Sequence, residues 1–132
     1  MIRHDRYIDY LYRLAQDIEA IKSSRVTSCV VYRNEIVGYG FSRRKSHPFQ
    51  AQYTRHKNAI YLHAETDAIK NALKRISIEE LSKSSLYVAR AKKKDGRWQF
   101  GLSRPCDGCM KAISSFDINN VIYTTDSDYA TL

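Results

Sequence analysis

Two short segments carry residue types that can do chemistry at a workable spacing: His63-Ala64-Glu65 and Pro105-Cys106-Asp107-Gly108-Cys109. Cys106 and Cys109 are three apart, so on the first turn of a helix both thiols face the same way. A helix N-terminus also favours the thiolate over the thiol. Pro105 suits a helix start, and Gly108 lets the backbone approach closely. With His63 these cysteines form a set of one nitrogen and two sulfurs, the ligand types of a zinc site. Three protein ligands leave a fourth position open to water, the catalytic rather than the structural pattern. Glu65 is not needed as a ligand. A free carboxylate at that position can take a proton from water and return it later. The combination suits hydrolytic attack on an electron-poor ring carbon followed by loss of ammonia. The competing reading of the same residues is a non-catalytic interaction module folded around structural zinc.

The elements that must position these segments follow from periodicity. Residues 4–22 read as an amphipathic helix, with Tyr7, Leu11, Leu14, Ile18 and Ile21 on one face. The β-branched run from Val26 to Tyr32, the turn Arg33-Asn34 and the segment from Glu35 to Phe41 read as an antiparallel hairpin. A polar, basic stretch over residues 42–57 reads as a long loop. A second helix is expected over residues 62–75, a strand over Leu86 to Ala89, and a hairpin tip over residues 92–100 around Asp95-Gly96. A third helix covers residues 107–116, and Val121 to Thr124 form the last clear strand. Strand–helix–strand crossovers imply a partly parallel sheet between helices. The expectation is an α/β fold, a three-layer α/β/α sandwich with a mixed sheet of four to five strands, in one domain over residues 1–132.

H-A-E followed by P-C-x-x-C resembles the zinc-dependent cytidine and deoxycytidylate deaminase superfamily, with each motif at a helix start and one strand between them. The likeness spans roughly residues 24–125 and extends to the order of elements. It implies that His63, Cys106 and Cys109 bind zinc and that Glu65 is the general acid and base. The Ala64 backbone would touch the pyrimidine carbonyl. In the implied reaction, water activated by zinc gives up a proton to Glu65 and adds to C4 of cytosine. Glu65 then protonates N3 and the departing amino group. The flank Thr66-Asp67-Ala68-Ile69 is similar to deoxycytidylate deaminases, and compact phage-encoded members are the most alike. The implied substrate is a free cytosine nucleotide, foremost dCMP giving dUMP. dCTP, free cytidine, and a base within tRNA or single-stranded DNA are the alternatives. Where relatives often read Gly-x-Asn, this chain has Gly40-Phe41-Ser42, which places Ser42 at the sugar position. The resemblance also implies a homo-oligomer.

Composition bounds the remainder. The chain has 132 residues, 43% hydrophobic and 27% charged, as in a globular protein. No apolar run is long enough to span a bilayer, and the N-terminal residues lack a signal-peptide core. Use in the cytoplasm (the host's, for a phage protein) and no membrane partner are therefore expected. Three cysteines in a reducing compartment argue against a disulfide framework. The net charge of +8 favours an anionic partner, a nucleotide first and a nucleic acid second. Arg43, Arg44 and Lys45 are candidates for phosphate capture, with Arg55, His56 and Lys57 on the far side of the loop. Trp98 and Phe100, among Lys92, Lys93, Lys94 and Arg97, read as a hairpin tip or as a platform for stacked bases. Cys29 reads as a buried free thiol, His4, His47 and His56 as surface groups, and Tyr32, Tyr39, Phe41, Tyr53, Tyr61 and Tyr123 as core or interface.

Overall fold

The computed structural model describes residues 4–18, 25–42 and 63–132. The helix α1 (His4–Asp17) leads to β1 (Arg25–Tyr32) and β2 (Glu35–Phe41). Next come α2 (Ala64–Ala72), a short α3 (Ile78–Ser82) and the long β3 (Ser85–Lys94). Then follow β4 (Arg97–Gly101), α4 (Asp107–Ser115), β5 (Asn120–Thr124) and β6 (Tyr129–Thr131). The sheet order is β2-β1-β3-β5-β6, and β4 pairs with the outer part of β3. Only β3 and β5 run parallel, joined by the crossover through α4, and the other pairs are antiparallel.

Alternation along the strands builds the layers. Cys29, Val31, Tyr87, Ala89 and Ile122 face α1, whose Ile8 and Leu11 pack on them. Val30, Leu86, Val88 and Val121 point to the other face, against Ala68, Ile69, Ala72 and Ile113 of α2 and α4. The expected α/β/α sandwich is therefore present, with six strands rather than four or five.

The structure corrects four expectations. The buried stripe of α1 is Ile8, Leu11 and Ala15 rather than the Tyr7–Leu11–Leu14 face, because a small residue lets the helix lie close to the sheet. His4 is not a surface group: its Nδ1 lies 2.8 Å from the Tyr87 hydroxyl and the ring is half-buried. Ser77 and Glu80 form a capping box that starts α3, an element absent from the sequence reading. Residues after Thr124 do make a strand: β6 folds back on β5 and pairs Thr124 with Tyr129. The turn Arg33-Asn34 is as expected, with φ of 51° and 64°, the left-handed pair of a tight hairpin. Cys29 is fully buried, and burial pushes its thiol up to about 12. No described helix is long and apolar enough to cross a membrane.

Candidate active site

Both motifs start helices at the same end of the sheet. His63 is the N-cap of α2 and Cys106 the N-cap of α4, and neither side chain caps its own helix. Ser, Thr, Asp or Asn would satisfy the first-turn amides better. These two ends forgo that hydrogen bond, and their side chains point at each other instead. The Nδ1 of His63 is 3.4 Å from the Cys106 sulfur and 3.3 Å from the Cys109 sulfur. The three ligand atoms all lie within 4.8 Å of one another. Tetrahedral zinc with ordinary Zn–N and Zn–S bonds needs N···S separations of about 3.5 Å. The residues present thus fit the ion, with His63 offering Nδ1.

Electrostatics separates the two thiols. A hydrogen bond from Cys109, helped by His63, lowers the Cys106 thiol to about 3. Cys109, fully buried, is raised by donating that bond and by desolvation. A cation bound here would therefore displace the Cys109 proton, so metal binding weakens as pH falls. Cys109→Ser is expected to lower zinc affinity roughly 100-fold or more, since a hydroxyl replaces a thiolate ligand. Metal content after dialysis against a zinc buffer checks this, and full retention by the variant would remove Cys109 from the site.

Glu65 is 6% exposed and sits in the first turn of α2. Desolvation raises its carboxyl pKa, with the His63 charge opposing, and it exchanges a hydrogen bond with the Cys109 thiol. That places a carboxyl group of raised pKa directly against the ligand cluster, where it can hold or release a proton. Ala64, fully buried, is the first helical residue between them.

Tight packing fixes α2 on β2. Ala64, Ala68 and Ala72 form a small-residue stripe, and Gly38 and Gly40 lie beneath it. A Cβ on Gly40 would fall 1.9 Å from the Ala64 carbonyl oxygen and 2.4 Å from the Ala68 nitrogen. Asp67, fully buried, accepts a hydrogen bond from the Phe41 amide at 3.1 Å and pairs with Lys70 at 3.3 Å. Asn71 donates to the Tyr39 carbonyl at 2.8 Å. The end of β2 is thereby clamped to the first two turns of α2. Asp67→Ala is expected to cost about 2 kcal/mol, because the part-buried Phe41 amide loses its acceptor. Asp67→Asn keeps an acceptor oxygen and should cost less. Urea denaturation of both variants checks the order, and equal stability would sink the clamp.

The approach to Cys106 is held by buried hydroxyls. Ser103 donates to the Val88 carbonyl at 2.9 Å and accepts from the Thr124 amide at 2.8 Å. Thr124 donates to the Gly101 carbonyl at 2.6 Å and accepts from the Arg90 amide at 3.0 Å. Sequence reasoning missed this network, which bonds the segment before Pro105 to β3 and β5. Arg90 was also missed. Its stem covers Gly101, and its Nε is buried without a hydrogen-bond partner among the described residues.

Ser42 stands at the end of β2. Its Oγ lies 3.4 Å from the Val26 amide and accepts from it, while its own amide bonds the Val26 carbonyl. Arg43, Arg44, Lys45, His47, Tyr53, Arg55, His56, Lys57 and Tyr61 lie outside the described residues. The aromatic hairpin residues are described, and they turn away from the metal-ligand cluster. Trp98 pairs across from Lys93 and Phe100 from Ala91, which puts both on the α1 face. Phe100 packs edge-on against Tyr12, and Trp98 lies beneath Arg25 and Lys93. They form no base-stacking platform beside His63.

A family model decides what this arrangement is. Residues 1–125 match the cytidine and deoxycytidylate deaminase zinc-binding region. The chain belongs to that family. Among solved structures it is similar to the dCMP deaminase of the cyanophage S-TIM5. The apo form is 22% identical, with a TM-score of 0.64, 92% of this chain covered and 82% of that one. The form in complex with dCMP and dUMP is 20% identical, with a TM-score of 0.58, 90% of this chain covered and 78% of the other. At such identities the likeness carries the fold. No curated protein sequence matches the chain.

Proposed function

We propose that the chain is a zinc-dependent hydrolase that deaminates a free cytosine nucleotide, converting dCMP to dUMP with release of ammonia. The observation that carries this reading is the convergence of His63 Nδ1 and the Cys106 and Cys109 sulfurs beside a buried, unspent Glu65. Zinc held there would supply a Lewis acid that makes water nucleophilic near neutral pH. Glu65 takes the proton that the attacking water loses as its oxygen bonds to C4. That proton passes to N3; the carboxylate then takes the proton of the new C4 hydroxyl and hands it to the amino nitrogen, so that C4–O becomes a carbonyl as the C4–N bond breaks and ammonia leaves. Burial of Glu65 keeps bulk water from competing for those protons. The Ala64 amide, at the start of α2, is the proposed contact for the ring carbonyl. Ser42 reads the sugar, and Arg43, Arg44 and Lys45 hold the phosphate.

The choice of a free nucleotide draws support from two observations. The phage enzyme of like fold is solved with dCMP and dUMP. The aromatic hairpin residues that would serve a polynucleotide pack toward α1 instead.

The test is ammonia release by the zinc-loaded protein from dCMP, dCTP, CMP, deoxycytidine, cytidine, single-stranded DNA and a tRNA anticodon stem-loop. Turnover of dCMP at least 10-fold above the nucleosides is expected. Turnover confined to the oligonucleotides would overturn the reading.

A further inference from the structure

The segment from Arg90 to Gly101 holds Arg90, Lys92, Lys93, Lys94 and Arg97 against the single acid Asp95, a net +4 in a chain of net charge +8. It forms the outer part of β3, the Asp95-Gly96 turn and β4. β3 ends where α4 begins, because α4 runs back to the start of the parallel strand β5. The hairpin therefore stands at the end of the sheet that holds His63, Cys106 and Cys109.

Alternation divides its charges between two faces. Lys93, opposite Trp98, lies on the α1 side with Arg25. Arg90, Lys92 and Lys94 continue the face of Leu86 and Val88, which packs against α2 and α4, and Arg97 pairs with Lys94 on that same face. The row from Arg90 to Lys94 is about 13 Å long. Lys92 anchors its base: the ammonium lies 3.1 Å from the Asp126 carboxylate, which also accepts from the Leu102 amide on the approach to Cys106. Arg90, Lys94 and Arg97 make no ion pair among the described residues, and neither does Arg104, exposed beside Pro105. With Arg104, the cations on this side outnumber the exposed acids Asp95, Asp107 and Asp126 near them. Such an excess raises a positive potential that gathers anions within a screening length.

The tip supplies a second, independent sign. Lys94 and Arg97 are direct cross-strand partners. Like charges so placed destabilise a hairpin, and an acid at either position would have made an ion pair instead. A local choice that works against the fold is expected where function sets the residue.

We propose that the site-side face of this hairpin is an electrostatic guide: its cations draw the substrate in by its phosphate and so favour a nucleotide over the uncharged nucleoside. The guide rests on the deaminase activity proposed for the metal-ligand cluster. Its attraction acts alike on bound substrate and transition state, so it changes kcat/KM and leaves kcat alone.

The test is Lys94→Gln with Arg97→Gln in the zinc-loaded full chain. At about 0.02 M salt, kcat/KM for dCMP should fall roughly 3- to 10-fold while kcat holds. At about 0.5 M salt, where the screening length is about 4 Å, variant and native chain should converge. Both should deaminate deoxycytidine equally well. Relief of the like-charge pair should leave the melting temperature equal or higher. Lys74→Gln with Lys83→Gln removes the same charge at the far end of the sheet, after α2 and before β3. That pair should keep kcat/KM for dCMP within about 2-fold of native. No loss in the hairpin variant, a loss that persists at high salt, or an equal loss in the far-end variant would overturn the guide alone. Failure of the native chain to release ammonia from dCMP would instead overturn the deaminase reading, and the guide with it.

Discussion

Glu65→Gln is expected to fold, to hold zinc as the native chain does, and to deaminate about 10²–10⁴-fold more slowly. The reasoning starts from shape. Glutamine has nearly the volume of glutamate, so the pocket for a side chain only 6% exposed stays filled. The three atoms that converge for a metal belong to His63, Cys106 and Cys109, so the ligand set is untouched. What the amide loses is basicity. It cannot take the proton from attacking water, and it has none to return to N3 or to the leaving amine. Glu65→Ala makes a poorer test because it also opens a cavity behind the buried thiol of Cys109. Ammonia release and metal content, measured on the same preparation, separate the two functions. A variant that keeps near-native turnover would show that another group moves the protons. A variant that loses its zinc would place the carboxylate in the ligand set.

The candidate site was legible because its residues work through local geometry. A ligand at an N-cap and another three residues on are fixed by one helical turn, and that turn is written in adjacent letters: Cys106 with Cys109, His63 with Glu65. What the letters do not carry is how the two helix ends find each other. That depends on α2 and α4 lying side by side on one sheet face, a consequence of strand order. The order in turn rests on side chains with no local signature, such as Ser103 and Thr124, whose hydroxyls matter only because residues 21 apart are adjacent.

The misses have physical causes too. Ser77-Ile78-Glu79-Glu80 holds a capping box in plain sight, but a helix of five residues shows no apolar period to support it. β6 is three residues long and half exposed, and pairing with β5 makes it a strand rather than any preference of its own. On α1 the apolar count favoured Tyr7 and Leu14, yet the sheet chose the face with Ala15. Close approach of backbones outweighs side-chain size when a helix lies flat on a sheet. The hairpin from β3 to β4 shows the opposite case. Asp95-Gly96 located the turn from sequence, but only the register reveals that Trp98 and Phe100 turn toward α1.

Gly40→Ala should be the most damaging single methyl group in the chain. The added carbon would meet the Ala64 carbonyl oxygen at 1.9 Å and the Ala68 nitrogen at 2.4 Å. Both are backbone atoms, so no side chain can rotate away. Either β2 or the first turn of α2 must move by an ångström or more. Movement of β2 breaks the bond from the Phe41 amide to Asp67, and the two elements part at the clamp. Movement of α2 carries His63 and Glu65 away from the sulfurs of α4, whose place is fixed separately through Ser103 and Thr124. The expected cost is about 3 kcal/mol, at the upper end of overpacking, or a fall in Tm of roughly 10 °C for a domain of this size. Zinc affinity should fall with it. A surface Gly→Ala control is available at Gly96, where nothing lies within 4 Å and only the left-handed φ of 79° resists the methyl. Gly96→Ala should therefore leave zinc affinity unchanged while costing about 1 kcal/mol in the turn. If Gly40→Ala instead bound zinc and melted like the native chain, the close seat of α2 on β2 would not be what aligns His63 with the cysteines.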